Sequence, residues 1–486
     1  MAVIRKENKF SELLAKHRPA LCAFFEGRLY PFLVALAVLI GHVSALELFF
    51  GAAILLAASA ALVLCDTAKP FIPTLLTFVY IVPLKHTPGT PNGVDGGSDY
   101  YSELFVLIPI GICFVLLVAA LIYFTVKNIS PKFNARSAPM LLPTLILSAA
   151  FLLGGAFSSG WKIASLLFSL GEVAVFFLLF YLFYYGLAKE DSYELLDYVT
   201  YMALLVAMVL VGEVAFLFAT NDAVISDAGS IVKTQVLFGW GAWNPMGFSL
   251  AVIIPLLIRG AAVCKYRCVY LAASVIVWGC AVLTMSRNAL IFATLGLGIS
   301  IVAAAIFAPK DKRRLFLWVI ILGAAAAVLG GIVLFDKITA LLADFLNRGF
   351  DNNGRFELWK NAWENFKKSP VFGRGFFDWG EMSSFDTASF IPVMAHNTLF
   401  QLLSCFGIFG TLAYGYYRIS SAAPFLKKFS FDKAMLLMPI LITLGASLLD
   451  NFIFYIYTAF LYVVLLAISF RIKDSETDTL SAESGE

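Results

Sequence analysis

The sequence predicts an all-α polytopic membrane protein, with about 12–14 transmembrane helices and one large structured external loop that contains short amphipathic helices. Hydrophobic residues make up 60% of the 486 residues and charged residues 14%, well below the charged fraction of a soluble domain. Apolar runs of about 20 residues, each long enough to cross about 30 Å of hydrocarbon, recur along most of the chain. These runs are continuous rather than alternating, which excludes a transmembrane β-barrel.

The apolar runs define about fourteen spans, or about twelve or thirteen because the first three are short and crowded. They predict a cytoplasmic N-terminal tail, eleven spans, a large external loop, three further spans and a disordered cytoplasmic tail. These segments cover residues 1–30, 31–335, 336–392, 393–471 and 472–486, in that order. The predicted spans are 31–47, 48–64, 70–84, 103–125, 139–158, 163–187, 196–219, 241–259, 268–285, 289–308, 315–335, 394–417, 434–449 and 452–470.

The distribution of positive charge orients these spans. With the N terminus inside, Lys and Arg gather in alternate loops, as the positive-inside rule requires. The alternation returns the C terminus to the cytoplasm, so both termini are predicted to be cytoplasmic. Before residue 336, the opposite loops carry only Lys85, Lys162, Lys233 and Arg287.

Several common functions find no support in the sequence. The net charge of +3 does not suggest a nucleic-acid partner. The seven cysteines contain no CxxC pair, and Cys264 and Cys268, four residues apart, have no third Cys or His beside them. We therefore expect neither a metal site nor a disulfide framework. No phosphate-binding GxxxxGK[ST] loop and no HExxH motif occurs, so we expect no nucleotide, metal or other cofactor.

The polar segment 336–392 interrupts the apolar chain and has helical periodicity. Two amphipathic helices are predicted there, lying on the outer membrane surface as a lid. The second one ends at Pro370. The apolar positions of the first are Ile338, Leu341, Leu342, Phe345 and Leu346, and those of the second are Phe356, Trp359, Trp363 and Phe366.

Three arginines and one histidine are the best candidates for chemistry. Arg287 forms an external turn where positive residues are scarce, although an arginine snorkelling at a helix end explains it equally well. Arg355 and Arg374 adjoin glycines, which expose a neighbouring side chain, but surface ion pairs are the simpler interpretation of each. His396 follows an apolar stretch that would favour the neutral imidazole, able to accept a proton. Alternatively, it caps the next helix together with Asn397.

Two carboxylates lie within predicted spans, and a third lies at a turn. Glu172 and Glu213 fall in the outer half of the membrane, where an ionisable residue suggests a functional site. They would line an outward cavity, pair with an arginine, or be protonated and structural. Asp450 and Asn451 form a tight external hairpin, and an ordinary turn explains them unless that hairpin folds back to the site.

Six short stretches, in this order and topology, resemble the bacterial O-antigen ligase and O-antigen polymerase family. The resemblance covers about residues 240–415, whereas the earlier spans agree in hydropathy alone. Many members carry an acidic residue where this chain has Cys405, which puts a carboxylate role there in doubt. The stretches are Asn244–Gly247, Ser286–Ala289, Gly354–Trp359, Ser369–Gly375, Ala395–Gln401 and Gly407–Gly410.

The resemblance implies a metal-independent glycosyltransferase that joins polyprenyl diphosphate-linked glycans on the outer face of the cytoplasmic (inner) membrane. Its products would be O-antigen, capsule or exopolysaccharide. Arginines suit a diphosphate leaving group, a neutral imidazole suits deprotonation of an acceptor hydroxyl, and attack opposite the leaving group would invert the anomeric centre. The catalytic candidates are Arg287, Arg355 and His396, and the substrate-binding candidates are Arg374, Asn397, Glu172 and Glu213.

The expected partners are a lipid-linked glycan donor, a glycan acceptor and the lipid bilayer, with a flippase and a chain-length regulator of the same pathway as further candidates. The main expectation is a polymerase, and a ligase that transfers the glycan to a lipid or other acceptor is the nearest alternative. A flippase or another secondary transporter is the alternative from a different class. It would be expected to show broken helices at the midplane and an internal repeat, and no clear repeat is visible in the sequence.

Overall fold

The computed structural model of the protein describes residues 15–82, 104–158, 163–226, 231–333, 355–376, 395–426 and 429–472. About 81% of the described residues are helical. The two named strands within these ranges are β1 (Leu237–Phe238) and β2 (Gly241–Ala242), which pair antiparallel as a small hairpin. The predicted all-α class is therefore confirmed.

The first half of the chain contains helices of unequal length. A bent helix opens it, since α1 (Ala15–Glu26) turns by 64° onto α2 (Leu29–Ser44). The helices that follow are α3 (Glu47–Leu64), α4 (Phe71–Thr77), α5 (Leu104–Phe124), α6 (Leu141–Leu153), α7 (Ile163–Val173), α8 (Phe180–Gly186) and α9 (Ser192–Thr220). Two spans among them contain breaks: a 3₁₀ turn, Phe78–Ile81, follows α4, and a π-helical turn, Ala174–Leu179, separates α7 from α8.

The second half carries the polar loop between long helices. The second predicted amphipathic helix is observed as α14, whereas the first, at 338–346, lies outside the described residues. The helices are α10 (Trp243–Val263), α11 (Arg267–Leu283), α12 (Arg287–Phe307), α13 (Lys310–Val333), α14 (Arg355–Lys368), α15 (Thr398–Ser421), α16 (Ala423–Leu426), α17 (Phe431–Ala446) and α18 (Ile456–Ser469).

Seven of the described helices are long and apolar enough to cross a membrane, or eight if the bent pair α1–α2 is one span. Shorter apolar helices occupy the predicted spans 70–84, 139–158, 268–285 and 452–470. The chain is thus a multi-pass membrane protein, and several predicted spans are short or broken helices rather than single straight ones.

Helix α10 forms the centre of the bundle. Its apolar window is 94% buried, and it packs against α9, α11, α12 and α17. Close approach depends on glycine, as in many membrane helix contacts. A Cβ added at Gly247 would lie 2.5 Å from the Ala289 Cβ, so this glycine brings the start of α12 against the start of α10.

The two ends of the bundle differ in their polar contacts. At one end, residues from both halves of the chain meet, since Arg471 donates to the carbonyls of Tyr184 and Ala188. At the same end Arg259 bonds the carboxylates of Asp197 and Asp432. The helix termini near His396 form the other end, where the candidate site lies.

Candidate functional site

His396 contacts a carboxylate that lies far away in the sequence. Its Nδ1 is 2.9 Å from Oδ1 of Asp450, which lies in the connection between α17 and α18. The imidazole side chain is 36% exposed, whereas the Asp450 side chain is 2% exposed. When Nδ1–H donates to this carboxylate, Nε2 is left as a proton acceptor.

The Asp450 carboxylate is held from several sides. Its Oδ1 also accepts from the Asn451 backbone N–H at 2.8 Å and from the Tyr455 hydroxyl at 3.2 Å. These donors fix the carboxylate, and the carboxylate in turn fixes the imidazole. The predicted hairpin at Asp450 and Asn451 therefore does fold back onto His396, which makes Asp450 more than a turn residue.

A buried amide network supports the same turn. The Gln401 Oε1 accepts from the Ala395 backbone N–H at 2.7 Å and from the Asn451 Nδ2 at 2.9 Å. The Gln401 Nε2 donates to the Cys405 sulfur at 3.1 Å, so the thiol is part of this network. Gln401 and Asn451 are fully buried, and together they tie the backbone before His396 to the residue after Asp450.

Asn397 has a structural role in this geometry. Its Oδ1 caps α15 by accepting from the N–H groups of Leu399 and Phe400. Its Nδ2 donates to the Leu448 carbonyl at 2.8 Å. The preceding residue, His396, has a left-handed backbone with φ of 50°, which is uncommon outside glycine.

Helix α14 places Arg355 at the same end of the bundle as this pair. The Trp359 Nε1 donates to the Ala395 carbonyl at 2.9 Å, and its ring stacks on Phe400 at 5.5 Å. Arg355 precedes Trp359 by one helical turn and so lies on the same face of the helix. The Arg355 guanidinium interacts electrostatically with the Tyr455 hydroxyl, the group that donates to Asp450.

Arg287 begins α12 at the same end of the bundle. The preceding Ser286 caps the helix, and its Oγ donates to Asn244 Oδ1 at 2.7 Å. The following Asn288 donates to the Ala446 carbonyl, which also accepts the Asp450 backbone N–H. The Ala446 carbonyl thus joins the turn before Arg287 to the turn at Asp450. The Arg287 residue is half-buried.

Arg374 lies in a segment that is interlocked with α15. Helix α15 is broken at Gly407, whose φ is 63°, and residues 370–375 run beside the break. The backbone N–H of Arg374 donates to the Ser404 carbonyl at 2.8 Å, and that of Ile408 donates to the Pro370 carbonyl at 2.8 Å. The guanidinium bonds Asn365 on α14 at 3.0 Å, so Arg374 helps to hold α14 in place.

The two intramembrane glutamates lie deeper and have different surroundings. Glu213 is fully buried and accepts from the Trp240 indole N–H at 2.7 Å. Trp240 packs edge-on against Tyr457, which stacks on Tyr455. These three aromatic rings link the Glu213 carboxylate to the site. Glu172 is 5% exposed on α7. It interacts electrostatically with Tyr414 on α15, beyond the break at Gly407.

The structure therefore brings His396, Arg287 and Arg355 to one end of the bundle and adds three residues that sequence reasoning did not select. These are Asp450, Tyr455 and Gln401. An acid in a short turn and an amide within an apolar helix look like ordinary structural residues, so only the fold shows their partners. In the described residues, the one group of side chains able to hold a metal is Cys22, Glu26 and Cys65, which lies at the other end.

Part of the chain matches a known family. Residues 272–415 match a family described as O-antigen ligase, and the matched range includes His396 and the three candidate arginines. No curated protein matches the chain. Within that matched range, the resemblance predicted from the sequence is confirmed.

Proposed function

Because residues 272–415 of this multi-pass membrane protein match the O-antigen ligase family, we propose that it polymerises polyprenyl diphosphate-linked oligosaccharide repeat units on the outer face of the cytoplasmic membrane. The family implies a glycosyl-transferring enzyme that uses a lipid-linked glycan donor and an acceptor. The side chains near His396 would each have a distinct part in such a reaction.

The donor carries a diphosphate, and its charge rises as the glycosidic carbon–oxygen bond breaks. Arg287 and Arg355 would bind this diphosphate, since guanidinium groups make bidentate hydrogen bonds to phosphate oxygens. Their contacts strengthen in the transition state, which is the condition for faster chemistry rather than tighter ground-state binding. Arg374 would act indirectly, because its hydrogen bond to Asn365 fixes helix α14, which carries Arg355.

The acceptor sugar must lose a hydroxyl proton as it attacks. His396 would take that proton on Nε2, because Nδ1 is engaged by Asp450. The imidazolium formed in this way would be stabilised by the Asp450 carboxylate 2.9 Å away, in the same manner as a carboxylate stabilises a catalytic histidine in hydrolases. Attack from the face opposite the diphosphate would invert the anomeric centre.

The observation that carries this proposal is the His396–Asp450 pair lying at the same end of the bundle as two arginines. A histidine or an arginine alone at a helix end often has a structural role, but a base oriented by a buried acid at the same end as guanidinium groups suits phosphate-linked group transfer. No step requires a metal ion, so activity is expected to survive a chelator. A ligase would use the same donor and differ in the acceptor alone.

The test is an in vitro reaction of purified protein with lipid-linked repeat units and no nucleotide. Longer glycans are expected with the unchanged protein, and their anomeric configuration should be opposite to that of the donor. His396→Ala and Arg287→Ala should each lower the rate by about 10²–10⁴-fold. Adding a lipid acceptor in a parallel reaction separates a polymerase from a ligase by the product formed.

His17→Ala is the matched control, because His17 is an exposed histidine on α1 at the other end of the bundle. It should leave glycan length unchanged. If His396→Ala and Arg287→Ala also leave it unchanged while remaining folded, the catalytic assignment is wrong.

A further inference from the structure

Three metal-ligating side chains meet at the end of the bundle opposite His396. They are Cys22 and Glu26 on α1 and Cys65 at the end of α3, and their ligand atoms all lie within 4.8 Å of one another. The neighbouring Glu190 directly precedes α9, whereas Glu213, which contacts the His396 end through Trp240, lies near its far end. At about 1.5 Å per helical residue, this places the three ligands roughly 30 Å from the candidate catalytic site.

We propose that Cys22, Glu26 and Cys65 bind a thiophilic divalent cation, with Zn²⁺ as the best match to two sulfurs and one carboxylate oxygen. This proposal is independent of the proposed glycan transfer. The ion would fasten the bent helix α1 to the end of α3, two elements that contribute little to the His396 end.

The chain geometry prepares these ligands for one ion. Cys22 and Glu26 are four residues apart on a helix, which places both side chains on one face. Cys65 is the residue that ends α3 and is fully buried, so its sulfur cannot turn away to solvent. Small movements of the Cys22 and Glu26 side chains would bring all three atoms to zinc-bonding distances of about 2.0–2.3 Å.

The hydrogen bond of the Cys22 thiol leaves no unpaired carbonyl when the proton is lost. The Cys22 sulfur now donates to the Leu64 carbonyl at 3.4 Å, and the Arg18 Nε donates to the same carbonyl at 2.8 Å. When the ion replaces the Cys22 proton, Arg18 still satisfies that carbonyl. Two metal–sulfur bonds and one metal–oxygen bond form, and two thiol protons pass to water.

The surrounding cations are paired with other acids and so repel an incoming ion less. Arg18 and Lys127 bond the Asp66 carboxylate at 2.9 Å and 3.0 Å. Lys69 lies 3.5 Å from Glu190. The local positive charge is therefore largely compensated without drawing on Glu26, the carboxylate that the site would use.

An open cavity gives the ion a route of entry and a fourth ligand. It has a volume of ≈ 390 Å³ and is lined by Cys22 and Glu26, with Asp66 and Glu190 on its polar wall. Three protein ligands and an adjoining open space match a tetrahedral zinc site that keeps one position free. The fourth ligand would be water.

The test uses full-length protein purified with reduced thiols and stripped of metal by dialysis. Titration with Co²⁺ should produce sulfur-to-metal charge-transfer absorption at one equivalent, and Zn²⁺ should displace it. Cys22→Ser should abolish the thiolate absorption, and Glu26→Gln should weaken binding while leaving the sulfur bands in place. Zn²⁺ should also protect Cys22 from alkylation and raise the thermal unfolding midpoint.

The matched control is Cys264→Ser combined with Cys268→Ser. These two cysteines are also four residues apart near a helix end at the same side of the bundle, but the described residues give them no third ligand. Their replacement should leave the Co²⁺ spectrum unchanged. The proposal is overturned if reduced protein gives no thiolate absorption, if Cys22→Ser retains it, or if Cys22 and Cys65 are isolated as a disulfide.

Discussion

The two ends of the bundle each contain a buried or half-buried aspartate, and the two are used differently. Asp66 is 41% exposed and bonds the cations Arg18 and Lys127, with Lys189 at 4.0 Å. Although partial burial alone would raise it, these cations hold the pKa of Asp66 below its usual range. Asp450 is 2% exposed and accepts from an imidazole, a backbone amide and a phenol. One carboxylate balances charge, and the other orients a ring.

The arginines at the two ends of the bundle also differ in how their charge is used. Arg259 is 3% exposed, and its guanidinium is occupied by Asp197, Asp432 and the Thr200 hydroxyl. At the other end, Arg287 and Arg355 are half-buried, so part of each side chain remains accessible. Buried cations between carboxylates fix helices together, whereas cations that solvent reaches at the ends of helices can bind an anion. The following variants test whether the two ends separate into a stabilising and a catalytic region.

The largest effect is expected for Asp450→Asn. The amide keeps the shape of the carboxylate but removes the charge that would stabilise a protonated His396, so the rate of glycan transfer should fall by about 10²–10⁴-fold. The effect should lie in kcat rather than KM, because the donor diphosphate is bound by other groups. Asp432→Asn is the matched control at the other end, since Asp432 bonds Arg259. Equal losses of activity in both variants would remove the distinction between the ends.

Arg259→Ala should show the reverse pattern. It leaves two carboxylates without their cation, a change that costs about 3–5 kcal/mol when all charges are buried. Asp197 and Asp432 are 47% and 21% exposed, so we expect the lower limit, about 3 kcal/mol. The thermal unfolding midpoint in detergent should drop, while kcat measured below that midpoint should change little. A loss of kcat without a loss of stability would contradict a purely structural role.

Gly373→Ala tests how firmly the loop is fixed to α15. Gly373 has φ of 66°, and an added Cβ would lie 2.2 Å from the Cys405 carbonyl carbon, so the backbone itself must move. We expect a loss of about 1–3 kcal/mol in unfolding free energy, together with reduced activity because Arg374 and α14 shift. Gly279→Ala on α11 is the control, since nothing lies within 4 Å of its added Cβ. Equal midpoints for the two variants would show that the interlock is loose.

Most of the fold was predictable because apolar length and loop charge act locally along the chain. The family stretches around Arg287 and His396 and the helix at Arg355 were visible for the same reason. Asp450 was not selected, because its role depends on a turn 54 residues away in sequence folding back onto His396. The break of α15 at Gly407 was also missed, since an apolar helix with an internal glycine looks continuous until another backbone segment packs beside it.

The smallest effect is expected for Tyr455→Phe, which tests how much one hydrogen bond to the Asp450 carboxylate contributes. The variant removes a donor 3.2 Å from Oδ1 and leaves the His396 and Asn451 donors in place. A single neutral hydrogen bond contributes about 0.5–1.5 kcal/mol, so kcat should fall by about two- to tenfold. Tyr193→Phe, an exposed tyrosine at the start of α9, should have no effect. A loss as large as that of Asp450→Asn would mean that the phenol itself takes part in proton transfer and that the carboxylate does more than orient His396.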